Sequence, residues 1–223
     1  MMSQVAFNRA DQAAPSAAML DVKGFLRLSA LAVIAGCGAS AVLEVVEATT
    51  NAATIPINFA LAAFSVLLLV GLPGLFAGRA RGYGLSGLIG VALIFVATVM
   101  VGVFSNLYGA MVDPWLASQA PDLAKGFGPP PLFAYYNLAE VAVVLGTVLL
   151  AIPIVRRRVV PQWAGWVLLV SVPIGVVLFF YVPSLPSDSA VAGFLSAVPG
   201  VMLWVALAGL ARDAWKTTSS AAE

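Results

Sequence analysis

The chain has 223 residues, of which 61% are apolar and 9% charged, with a net charge of +1, whereas an ordinary soluble domain averages about 45–50% and about 25%. Such a composition has the lipid bilayer as its partner, and near-neutrality without a basic run excludes nucleic acid. With no histidine and only Cys37 for cysteine, His-ligated haem, HExxH zinc sites, Ser-His or Cys-His hydrolysis and dithiol relays are excluded as well.

Six apolar runs, at about 25–48, 56–78, 84–109, 132–155, 163–182 and 190–211, predict six transmembrane helices of about 20 residues or more each. The fold class read from them is all-α, a polytopic membrane protein. Residues 1–24, with Asp11, Pro15 and Asp21, read as a disordered tail, and residues 212–223 as a second tail.

Helix 1 carries Cys37, Ser40, Glu44 and Glu47 on one stripe, with Glu44 about 6 Å inside its outer end. The run Ile34-Ala35-Gly36-Cys37 has the form of a lipoprotein cleavage box. The apolar stretch continues through Cys37 to Val46, so a spanning helix with a small packing face of Ala32, Gly36 and Ser40 is the better reading.

After helix 2, Gly82-Tyr83-Gly84-Leu85-Ser86-Gly87 spells GxGxxG, but it follows a membrane helix instead of a strand. Its glycines, with Gly74, Gly78 and Gly90, are expected to let helices 2 and 3 pack closely. Helix 3 adds Asn106 and Tyr108 at its outer end. The loop from Met111 to Pro131, with Trp115 and Leu116 suited to an interfacial segment, tethers helix 3 to helix 4.

Helix 4 holds Glu140 about 12 Å beyond Leu132, with Tyr136 and Asn137 one turn outward and Thr147 two turns inward. Helices 5 and 6 contain Pro173 and Pro199 near their midpoints, each freeing a backbone carbonyl. Ser189, Gly193, Ser196 and Gly200 make one small face on helix 6 for a neighbour.

Orientation follows from the basic residues. Arg9, Lys23, Arg27, Arg79, Arg81, Arg156, Arg157, Arg158, Arg212 and Lys216 all fall on one side of a six-span chain, and only Lys125 on the other. Cytoplasmic loops retain Lys and Arg, so both termini are expected in the cytoplasm and the protein in a bacterial cytoplasmic membrane.

None of the six aspartates, Asp11, Asp21, Asp113, Asp122, Asp188 and Asp213, lies inside an apolar run, which leaves no paired intramembrane aspartates. The glutamates differ. Glu44, Glu47 and Glu140, with Asn106, Tyr136 and Asn137, fall in the outer half, where no Lys or Arg can neutralise them. An unpaired carboxylate at that depth is expected to hold a proton. These six residues are the candidate ligand-binding set, forming an outward-facing acidic pocket for a cation or cationic small molecule, as in a binding or transport module. No catalytic residue, metal site or cofactor is expected. The competing readings are a structural or accessory membrane subunit in which the polar residues specify helix packing, and a lipid-modifying enzyme using Glu140 for proton transfer.

Gly71-Leu72-Pro73-Gly74-Leu75-Phe76-Ala77, Arg79-Ala80-Arg81, Gly84-Leu85-Ser86-Gly87, Ala120-Pro121-Asp122-Leu123 and Val160-Pro161-Gln162-Trp163-Ala164-Gly165 resemble the small six-helix integral membrane proteins of high-GC bacteria. The resemblance covers helices 2 to 6. It implies a fold and no activity, cofactor or site residue.

Overall fold

The computed structural model describes residues 15–50, 55–77, 80–120, 130–157, 161–186 and 189–220. Its elements are α1 (Pro15–Thr50), α2 (Ile55–Ala77), α3 (Ala80–Ala97), α4 (Asp113–Gln119), α5 (Pro130–Arg157), α6 (Gln162–Tyr181) and α7 (Ala190–Ser220). Two π-helical stretches, Thr98–Ser105 and Tyr108–Val112, carry α3 on to α4. No strand occurs among the described residues, and six helical stretches are long and apolar enough to cross a membrane. This is the all-α, multi-pass architecture that the apolar runs predicted.

The bounds differ in three places, one of them α7, which stays helical to Ser220, nine residues past its predicted end. Helix begins at Pro15, ten residues before the predicted start, with the spanning part from Val22. The third span runs from Gly82 to Gln119, 38 residues, because α3, its π-helical turns and α4 are continuous. Of the residues assigned to a loop, Met111 and Val112 fall in the second π-helical stretch and Asp113–Gln119 form α4. Residues 1–14 and 221–223 of the expected tails, and Lys125, Asp122, Gly78 and Arg79, lie outside the described residues.

The main helix contacts run in a closed circuit: α2 on α1, α1 on α7, α7 on α6, α6 on α5, α5 on α3, and the π-helical end of α3 back on α2. α1 and α7 meet at one end of this circuit, where Arg27 Nη2 donates to the Thr218 carbonyl at 3.0 Å. Arg157 joins the same end by donating from Nη1 to the Gly82 carbonyl at 3.3 Å. Beside it Gly84 takes φ 62° and ψ −172°, a conformation essentially closed to other residues. This break turns the chain into α3 and lets Tyr83 bury its ring edge-on to Phe76, centroids 5.2 Å apart.

Burial is unequal between the two ends. The continuous apolar core comprises Val33, Cys37, Leu68, Leu72, Leu75, Phe76, Tyr83, Ile94, Leu150, Ile154, Leu168, Leu203, Leu207 and Leu210 among others, all in the middle or toward the basic end. Toward the far end the buried side chains are mostly small or polar: Ser40, Asn58, Ala62, Ser65, Thr98, Ala110, Ala139, Ala142 and Ala192. The large buried side chains thus sit in the middle and toward the basic end, and the far end is packed through small ones.

Small residues set the closest crossings, though between different helices from those expected. A Cβ added at Gly36 would stand 2.9 Å from the Phe64 carbonyl, and one at Gly71 2.5 Å from the Ser29 carbonyl, so α1 and α2 share one seam. Gly74 likewise meets Ser29 of α1, whereas Gly90 meets Gly146, Leu149 and Leu150 of α5. These two glycines therefore serve the α1–α2 and α3–α5 seams, and the expected α2–α3 role falls instead to Gly102 and Gly109, which face Ser65 and Asn58. The change has a simple cause: α3 packs chiefly on α5 and reaches α2 mainly through its π-helical end.

Candidate functional site

Glu44 lies on the α1 face that turns toward α7. Trp204 Nε1 donates to Glu44 Oε1 at 2.7 Å. The second carboxylate oxygen sits over Gly200, where an added Cβ would approach to 2.6 Å. Gly200 and Trp204 are four residues apart, hence one above the other on α7, and together they form a notch with a donor at its edge. One end of this seam is closed further by Gly193 against the Ala48 carbonyl. The small face expected on helix 6 thus has α1 as its neighbour through Gly193 and Gly200. Ser196 instead is exposed and donates to the carbonyl of Gly193 at 2.6 Å.

Glu47 follows Glu44 by one turn of α1 and is half-buried. Cys37 and Ser40 precede it on the same face and are 0% and 1% exposed. No Lys or Arg occurs between Arg27 and Arg79. Arg27 is 17 residues before Glu44 along α1, roughly 25 Å away at 1.5 Å per residue. Cys37 lies in the core beside Val33 and Leu68, as a spanning helix places it.

The other predicted site residues are dispersed. Glu140 and Asn137 are exposed on α5. Thr147 and Ala151, seven and eleven residues beyond Glu140, share its side of the helix to within about 20° and are 2% and 0% exposed. Glu140 therefore stands on a face that is sealed two turns deeper and open at its own level. Farther along α5, Ile154 and Val155 meet Gly165 of α6 near the basic end.

Asn106 donates from Nδ2 to the Gly102 carbonyl of its own helix at 2.8 Å. Tyr136 lines an apolar cavity of about 460 Å³ with Phe104, Tyr108, Met111, Leu132 and Tyr135, between the π-helical end of α3 and the start of α5. Among the described residues, no three His, Cys, Asp or Glu side chains come together to hold a metal ion. The six predicted residues accordingly occupy separate places: Glu44 and Glu47 at the α1–α7 seam, Glu140 and Asn137 on the open face of α5, Asn106 and Tyr136 near the π-helical end of α3.

Several polar contributors escaped the sequence reading. Trp204 is the partner of Glu44; the clue was an indole N–H far from either end of an apolar helix, where it must find an acceptor. Asn58 and Ser65, 7% and 3% exposed, are seven residues apart on α2, as Gly102 and Gly109 are on α3. Tyr135 donates to the Met100 carbonyl at 2.7 Å, and Ser105 to the same oxygen at 3.1 Å. That pairing comes from π-helical geometry, which sequence spacing does not announce. Compared with known proteins, the chain matches no family model, no curated protein and no solved structure.

Proposed function

We propose that this multi-pass membrane protein is a binding module for an organic cation, with Glu44 as the counter-charge. The observation that carries this reading is the Glu44 carboxylate itself. It is held at the α1–α7 seam by one neutral donor, the Trp204 indole at 2.7 Å, on a helix with no Lys or Arg after Arg27. A neutral indole fixes the position of the carboxyl group and brings no positive charge, so an arriving cation can take the place of the proton expected at that depth. Glu47, one turn outward, adds a second acidic group on the path from the far end. The core of large apolar side chains in the middle and toward the basic end closes the opposite side.

With the basic end in the cytoplasm, as the positive-inside distribution favours, the acidic site faces the outside of a bacterial cytoplasmic membrane. An organic cation fits better than a metal ion, since the described acidic groups do not converge into a ligand set. The test is thermal unfolding of the detergent-solubilised protein with ethylammonium, tetramethylammonium or sodium chloride, for wild type and Glu44→Gln. A bound cation raises the midpoint by mass action. An organic cation is expected to stabilise wild type and not Glu44→Gln; equal responses in the two proteins would overturn the reading in favour of a packing element in an accessory subunit.

A further inference from the structure

Among the described residues, two buried side-chain polar atoms have no hydrogen-bond partner: Arg27 Nε and Ser40 Oγ. Ser40 is the unexpected one. A serine in an apolar helix ordinarily donates to a carbonyl three or four residues back, as Thr98 does to Ile94 at 2.8 Å and Ser171 to Leu168 at 2.8 Å. Ser40 makes no such bond, although it is 1% exposed. A buried hydroxyl left unpaired is costly.

Its direction follows from helical phase. Gly36, four residues before, meets Phe64 and Leu68 of α2; Glu44, four residues after, meets Gly200 and Trp204 of α7. Each step of four residues turns the helix by about 40°, so Ser40 lies between the two seams, facing the middle of the circuit one turn below the Glu44 carboxylate. Hydroxyl and carboxylate thus stand on adjacent turns of one face, the first unpartnered and the second holding a single indole N–H.

We infer that the site takes a primary ammonium group, with Glu44 as its charged acceptor and Ser40 Oγ as its second acceptor. This deepens the organic-cation reading and rests on it. A primary ammonium carries three N–H donors on a small head, so it can satisfy both oxygens at once. A quaternary ammonium has no donor to offer Ser40. It would depend on aromatic faces, and Trp204 turns toward the carboxylate the edge that bears its N–H.

The test compares ethylammonium with tetramethylammonium, as chlorides, on the full chain in detergent, reading apparent affinity from the concentration dependence of the unfolding midpoint. Wild type, Ser40→Ala, Ser40→Thr and Glu44→Gln are compared. Ethylammonium is expected to bind wild type about tenfold more tightly than tetramethylammonium, the worth of one hydrogen bond to a charged group. Ser40→Ala should remove that preference, Ser40→Thr should keep it, and Glu44→Gln should abolish binding of both ions. A merely structural serine would move the ligand-free midpoint and leave the preference intact. If both ions bind equally to wild type, or if Ser40→Ala keeps the tenfold preference, the primary-ammonium inference is wrong while the organic-cation reading stands. If neither ion binds wild type, both fall.

Discussion

Gly90 of α3 and Gly146 of α5 face each other reciprocally: a Cβ on Gly90 would lie 2.7 Å from the Gly146 carbonyl oxygen, and one on Gly146 2.9 Å from that of Gly90. Neither helix can carry a side chain there without moving the other, because the atoms met are backbone. Gly90→Leu or Gly146→Leu is therefore expected to cost about 1–3 kcal/mol through overpacking of the α3–α5 seam. Thermal unfolding in detergent measures this, with Gly38→Leu as control, since nothing lies within 4 Å of a Cβ at Gly38.

The bond from Trp204 to Glu44 links helices that are 160 residues apart in sequence. Trp204→Phe keeps most of the ring and removes the donor, while Glu44→Leu removes the acceptor. A double-mutant cycle on unfolding free energy should give a coupling of about 0.5–2 kcal/mol, as interhelical hydrogen bonds in membranes do. A coupling indistinguishable from zero would show that the bond contributes nothing to holding α1 against α7.

Glu140 offers a test of exposure along α5. In a Cys37→Ala background, Glu140→Cys is expected to react with a membrane-impermeant maleimide applied to the Lys125 side, because its face is open to that end. Thr147→Cys, on the same face but 2% exposed in the parent residue, should stay unreacted until the protein is denatured. Protection of both positions would mean that lipid or protein covers the α5 face at the level of Glu140.

Orientation is open to the same chemistry. Ser118 at the far end and Arg212 at the basic end are both exposed. With ten of eleven basic residues on one side, Ser118→Cys should label in intact cells and Arg212→Cys only after permeabilisation. The reverse pattern would invert the topology and turn the acidic site toward the cytoplasm.

The six spans are legible in the chain alone, because bilayer thickness imposes a length and a polarity on every crossing. Apolar runs between Lys and Arg clusters report that constraint locally, so the α2, α5, α6 and α7 spans can be read without any tertiary information. The same local logic marked Glu44, Glu47 and Glu140 as costly residues worth explaining. Continuation of the third span to Gln119 was hidden, since the π-helical turns depend on carbonyls being taken by partners such as Tyr135, 35 residues from Met100.

Tertiary structure alone decided which polar residues meet. Helices in lipid associate by close backbone approach at small residues, and this chain has 20 glycines. Many pairings satisfy such a pattern, and the sequence does not say which glycine opposes which helix. Gly200 came to lie against Glu44 because α7 packs on α1, and Gly90 against Gly146 because α3 packs on α5. Those choices put Glu44 on an indole and Ser40 beside it without a partner, and left Glu140 on an open face. Polarity and depth are properties of one helix, whereas the partner of a buried carboxylate is a property of two.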